Sequence, residues 1–102
     1  MQIIVHGATG RMGQLICAAA GSEVAARVSP EYPASENGCW QTLSDYQGPA
    51  DCVVDFSHHS ATGALVDYCL ARKLPLLIAT TGQTEPERAQ IQAAAAEIPV
   101  FF

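Results

Sequence analysis

Short apolar runs alternate with amphipathic stretches along this chain. Residues 2–6 (Q-I-I-V-H) form an apolar, β-branched run of strand length. Residues 11–20 carry a helix-forming run ending in three alanines, closed by Gly21. Residues 24–28 predict a second strand, and residues 51–56 a third with β-branched Val53 and Val54. Over residues 60–72, Ala61, Leu65 and Cys69 recur at four-residue spacing, which predicts a helix; Asp67 and Arg72 fall elsewhere on its surface. Residues 75–80 predict another strand. Thr84-Glu85-Pro86-Glu87 has the form of a capping box, with Thr84 as N-cap and Glu87 reaching back. It opens a helix through Ala89 and Ile91 to Ala96. Pro99 stops that helix, and Val100-Phe101-Phe102 begin a last strand. Residues 29–38 are a loop by composition, Gly48-Pro49 marks a turn, and residues 39–47 leave room for one helical turn.

Strands that are continuous apolar runs, each followed by a helix, predict an α/β fold: a Rossmann-like parallel sheet with helices on both faces. Right-handed crossovers place the first strand centrally, the second on one side and the 51–56 strand on the other. The ends of the first and 51–56 strands are then the topological switch point, where ligands bind in such sheets. The loops 7–13, 56–60 and 80–84 gather at one crevice.

Composition narrows the classes. The 102 residues allow one small domain, and 49% hydrophobic content supports a core. A net charge of -5, with five basic residues and no basic cluster, argues against a nucleic-acid partner. No apolar run reaches the roughly 20 residues needed to span a bilayer, so no membrane partner is expected. Cys17, Cys39, Cys52 and Cys69 are widely spaced without a C-x-x-C pair, against a metal site or disulfide framework. Cys17, Cys52 and Cys69 sit in apolar patterns and read as buried thiols, suited to a reducing cytoplasm.

The candidate chemistry lies at Gly7-Ala8-Thr9-Gly10-Arg11-Met12-Gly13, between the first strand and the first helix. Glycines permit a tight turn and close approach to a pyrophosphate, and the helix N-terminus offers free N–H groups with partial positive charge. The spacing is G-x-x-G-x-x-G, with Thr9 where the commoner motif has its second glycine. An acidic residue that binds the adenosine ribose is expected about 20 residues past the glycines. Ser29 follows Val28 there, with Glu31 the nearest carboxylate. An uncharged Ser29 predicts weak discrimination between NADH and NADPH, within about tenfold. Arg11 and Arg27 are the candidate partners for a ribose phosphate. His6, at the end of the first strand, reads as a packing residue, Asp55 as a partner for nearby backbone N–H groups, and His58-His59 as loop histidines. Tyr68 and Arg72 imitate the Tyr-x-x-x-Lys pair of short-chain dehydrogenases, but Arg is not equivalent to Lys at a close ribose contact.

Gly7-x-x-Gly10-Arg11-Met12-Gly13, Val54-Asp55-Phe56-Ser57, Ala79-Thr80-Thr81-Gly82 and Ile98-Pro99-Val100-Phe101-Phe102, in this order and spacing, resemble the bacterial dihydrodipicolinate reductases of lysine and diaminopimelate synthesis. The resemblance covers the whole chain but only the family's amino-terminal, cofactor-binding part. It implies that Gly7 to Met12 wrap the pyrophosphate of NADPH or NADH, with Arg11 near the adenosine phosphates. Phe56 and Ser57 then line the nicotinamide side, and Ala79, Thr80 and Thr81 meet the nicotinamide ribose or carboxamide. It also implies a following substrate domain that carries the proton donor, grips a small dicarboxylate and supports an oligomer. These 102 residues accordingly hold no catalytic residue of their own and are expected to bind cofactor without turnover. A short-chain-dehydrogenase-like domain and a non-enzymatic nucleotide-sensing module remain the alternatives.

Overall fold

The computed structural model describes residues Met1–Phe102. Six parallel strands form one sheet: β1 (Ile3–His6), β2 (Val24–Val28), β3 (Cys39–Trp40), β4 (Cys52–Asp55), β5 (Leu76–Ile78) and β6 (Val100–Phe101), in the order β3-β2-β1-β4-β5-β6. β1 lies between β2 and β4, as the crossover rule requires, so the chain reverses direction across the sheet at β1. Three helices complete the domain: α1 (Arg11–Ala20), α2 (Thr62–Arg72) and α3 (Glu85–Ala95).

Alternation along the strands divides the core in two. Ile4, Val53, Leu76 and Ile78 face α2 and α3, where they bury Leu65, Val66, Cys69, Ile91 and Ala94. Val5 faces the other way and packs with Ala8 and with Cys17 of α1. Helices therefore lie on both faces, but α1 covers its face only beside β1 and β2. Farther along that face Leu77 and its register partner Phe101 stay exposed. The α3 capping box forms as the sequence predicts: Glu87 N–H donates to Thr84 Oγ1 (3.3 Å), and Thr84 N–H to Glu87 Oε1 (2.8 Å).

Three local readings change. Cys39–Trp40 pairs with Arg27 and Val28 as a sixth strand, too short to show a period in sequence; the helical turn expected in residues 39–47 falls on Leu43–Asp45. The helix over residues 60–72 starts with a 3-10 turn, His59–Ala61, and is α-helical only from Thr62. Cys52, the first residue of β4, is half-buried rather than buried, whereas Cys17 and Cys69 are buried. Burial pushes the Cys69 thiol up to about 12, leaving it without thiolate reactivity.

Candidate functional site

The glycine loop is fixed to the sheet before it reaches the crevice. Gly7 and Ala8 both donate their N–H groups to Val28 O, at 2.8 and 3.1 Å, so the loop is hooked over the end of β2. Gly7 has φ +85°, and a Cβ there would stand 2.5 Å from the Phe56 backbone. Both the turn and the close approach thus demand glycine. At Gly13 a Cβ would collide with Gly7 O and stand 2.8 Å from Ala8 Cα, so this glycine lets α1 pack onto the loop. Gly10 differs: only Gly7 O (3.4 Å) and Phe56 O (3.9 Å) lie within 4 Å of a Cβ, and its backbone is extended. The freedom at Gly10 is therefore an opening on the crevice, not a requirement of the fold.

Gly10 also caps α1, without any side-chain bond and with no acidic residue in the first turn. First-turn N–H groups lack intrahelical partners and carry the positive end of the helix dipole. In α1 no side chain satisfies them at the cap, in contrast to the complete capping box of α3. Arg11 adds the cation at this end of the crevice.

Two compartments open here, of about 360 and 370 Å³, and share Gly10, Phe56, Ser57 and His58. The first runs toward β2 and is walled by Ser29, Pro30 and Glu31. The second runs toward β5 and is walled by Met12, Ala79, Thr80 and Thr81. A buried carboxylate fastens the floor between them. Asp55, at the end of β4, accepts from His6 Nδ1 (3.1 Å), Ser57 N–H (3.1 Å), Ser57 Oγ (2.5 Å) and Thr80 Oγ1 (2.9 Å). An ionised carboxylate only accepts, so His6 carries its proton on Nδ1. Burial works to raise the Asp55 pKa, but the hydrogen bonds from His6, Ser57 and Thr80 outweigh it and hold the group below the usual carboxylate value. The ends of β1, β4 and β5 are thus tied at one side chain. A second tie runs from His59 Nδ1 to Glu87 Oε1 (2.9 Å), joining the loop after β4 to the start of α3.

Comparison with known proteins meets this geometry. The family described as "Dihydrodipicolinate reductase, N-terminus" matches residues 1–102. The chain belongs to that family. Three proteins named 4-hydroxy-tetrahydrodipicolinate reductase show the similarity. That of Caldanaerobacter subterraneus subsp. tengcongensis is 35% identical over 99% of this chain and 42% of its own length. That of Akkermansia muciniphila is 38% identical over 100% of this chain and 39% of its own. That of an Exiguobacterium species is 39% identical over 99% of this chain and 40% of its own. The chain thus spans about two fifths of the relatives it matches, and it is a domain of an oxidoreductase family.

The crevice gathers most of the residues that the sequence singles out. Gly7, Thr9, Gly10, Ser29, Phe56 and Ser57 line the first compartment. Gly10, Arg11, Met12, Phe56, Ser57, Ala79, Thr80 and Thr81 line the second. Ala8 and Gly13 line neither: Ala8 packs in the core with Val5 and Cys17, and Gly13 faces the backbone of Gly7. Arg27 also lies away from the crevice, on the α1 face beside Cys17 and 3.8 Å from the Cβ position of Gly38. Tyr68 and Arg72 are remote from it: Tyr68 donates to Tyr46 O (2.6 Å), and Arg72 donates to Tyr68 Oη and Gly48 O. That pair packs α2 onto the 46–48 loop, so the likeness to a short-chain dehydrogenase ends there. His58 caps the turn before α2 by accepting from Ser60 N–H (3.2 Å), yet it also borders both compartments.

Sequence reasoning misses what happens around Ser29. That side chain is 1% exposed, and its hydroxyl meets Thr9 Oγ1 at 2.7 Å. Glu31 brings its carboxylate to the same place, 2.7 Å from Thr9 Oγ1. The missed signal is the proline between them, because Pro30 turns the chain so that the second residue after Ser29 returns to the glycine loop.

Proposed function

We propose that residues 1–102 bind a nicotinamide dinucleotide across the crevice, as the cofactor domain of a 4-hydroxy-tetrahydrodipicolinate reductase. The observation that carries this reading is the pair of compartments joined at Gly10, Phe56 and Ser57. A molecule of two nucleosides joined by a pyrophosphate has that division. The open Cβ position at Gly10 and the uncapped α1 N-terminus suit the pyrophosphate, with Arg11 as counter-charge. Ser29 and Glu31 would border the adenosine ribose, and Phe56, Ser57, Ala79, Thr80 and Thr81 the nicotinamide half. When bound, the cofactor supplies the hydride. The chain's own residues bind and orient it, and the Asp55 ties keep the three loops in register.

In the complete reductase the hydride would pass to a cyclic imine dicarboxylate in lysine and diaminopimelate synthesis. Proton donor, substrate grip and oligomer contacts would come from outside residues 1–102. This domain alone would bind cofactor without turnover. No helix is long and apolar enough to cross a membrane. The four unpaired cysteines suit the reducing cytoplasm in which such a reductase would work.

The carboxylate of Glu31 supports a preference that an exposed Ser29 would not give. A carboxylate accepts from a free 2′-hydroxyl and repels a 2′-phosphate. Calorimetric titration should therefore give one site, with NADH bound at least about tenfold more tightly than NADPH, or 1.4 kcal/mol. A folded domain that takes up neither nucleotide contradicts the assignment. Equal affinity would return the ribose end to the Ser29 reading.

A further inference from the structure

Thr9 stands where the commoner glycine motif has a glycine, and its side chain is not idle. Its single hydroxyl proton goes to Glu31 Oε1 at 2.7 Å, because a carboxylate has none to give. The Ser29 hydroxyl then donates to Thr9 Oγ1 at 2.7 Å. Ser29 Oγ in turn accepts the N–H of Glu31 at 3.2 Å. The three residues close a ring: Ser29 to Thr9, Thr9 to the Glu31 carboxylate, and the Glu31 backbone back to Ser29.

The ring is anchored on both sides. Ser29 is 1% exposed and continues β2, with its N–H on Trp40 O at 2.9 Å. Thr9 is held through its carbonyl, which accepts from Gln14 Nε2 of α1 at 2.8 Å. Glu31 itself is exposed and sits on a loop. Free glutamates on loops sweep through many rotamers, and fixing one has an entropic cost. Here the cost is met before any ligand arrives. Only Oε1 is engaged, so Oε2 stays available at the wall of the first compartment.

We propose that Thr9 is a positioning residue that sets the domain's choice of dinucleotide, by holding Glu31 where it accepts from an unmodified ribose and repels a 2′-phosphate. The inference rests on the reading that this compartment takes the adenosine ribose. It assigns to a glycine-loop side chain a part in specificity that glycine motifs otherwise leave to the residue after the second strand.

Thr9→Val keeps the shape of the side chain and removes the hydroxyl, Thr9→Ser keeps the hydroxyl, and Glu31→Gln removes the charge. The dissociation constants of NADH and NADPH are measured for all four proteins, with circular dichroism as the fold control. The informative quantity is the NADPH-to-NADH ratio of those constants. A general loosening of the loop weakens both nucleotides and leaves the ratio alone. Thr9→Val should lower the ratio about fivefold, the effect of freeing one long side chain. Thr9→Ser should keep the wild-type ratio, and Glu31→Gln should bring it close to one. A folded Thr9→Val with the wild-type ratio, beside a Glu31→Gln whose ratio collapses, overturns the role of Thr9 and leaves the binding site standing. A wild type that binds neither nucleotide overturns the site and this proposal together.

Discussion

Gly10→Val should weaken binding of NADH by at least about a hundredfold, or 2.8 kcal/mol, while the domain stays folded. Gly10 has an extended backbone that any residue adopts, and a Cβ there meets nothing nearer than Gly7 O at 3.4 Å. The two γ-methyls of valine then project into the place shared by the two compartments. They would occupy the space proposed for the pyrophosphate and shield the first-turn N–H groups of α1. Gly7 and Gly13 make poor tests of the same idea. A side chain at Gly7 has both the positive φ and the Phe56 backbone against it, and one at Gly13 meets the Gly7 backbone. Those variants lose the fold and the site together. Circular dichroism and calorimetry on Gly10→Val separate the two, and a folded variant of unchanged affinity would place the nucleotide elsewhere.

The second large effect is expected at Asp55. Asp55→Asn replaces an acceptor-only group with one that carries its own donors, against His6, Ser57 and Thr80 that all donate. At least one buried donor then loses its acceptor, and the loss should be about 2–3 kcal/mol at pH 7, read from the urea midpoint. The pH dependence has a definite sign. Burial raises and the donors lower the Asp55 pKa, with a net value below the ordinary one. An unfolded Asp titrates near about 3.9. Between the two values the unfolded chain binds more protons, so stability rises with pH. The contribution is complete above the unfolded value and is lost as pH falls through the folded one. Wild type should therefore lose stability more steeply than Asp55→Asn as pH drops from about 5 to 2. Parallel curves would mean that folding leaves the Asp55 carboxyl at its unfolded value, and a shallower wild-type curve would mean that the folded domain keeps it neutral.

The sequence carries the fold well where an element is long and periodic. The end of α1 follows from its closing glycine, and the start of α3 from its capping box. β3 is hidden because two residues at a sheet edge have no period to read. At the site, the glycine loop and its partners on β4 and β5 are legible because chain order and crossover handedness bring strand ends together. Side-chain networks are not legible in that way. Asp55 suggests backbone partners and has one in Ser57, but its bonds to His6 and Thr80 join residues 49 and 25 positions away. His59 reads as a loop residue, and only packing brings it to Glu87. Ser29 and Glu31 are not legible either, because a proline turn buries one and returns the other to Thr9.

One dinucleotide is proposed to lie across both compartments. The most direct measurement follows the backbone amides of residues 1–102 by NMR as NADH is added. Saturating shifts are expected in four stretches at once: residues 7–13, 29–31, 56–58 and 79–81. The exposed face around Leu77 and Phe101 should stay unmoved. Shifts confined to one compartment, or centred on the Tyr68–Arg72 side of α2, would contradict it.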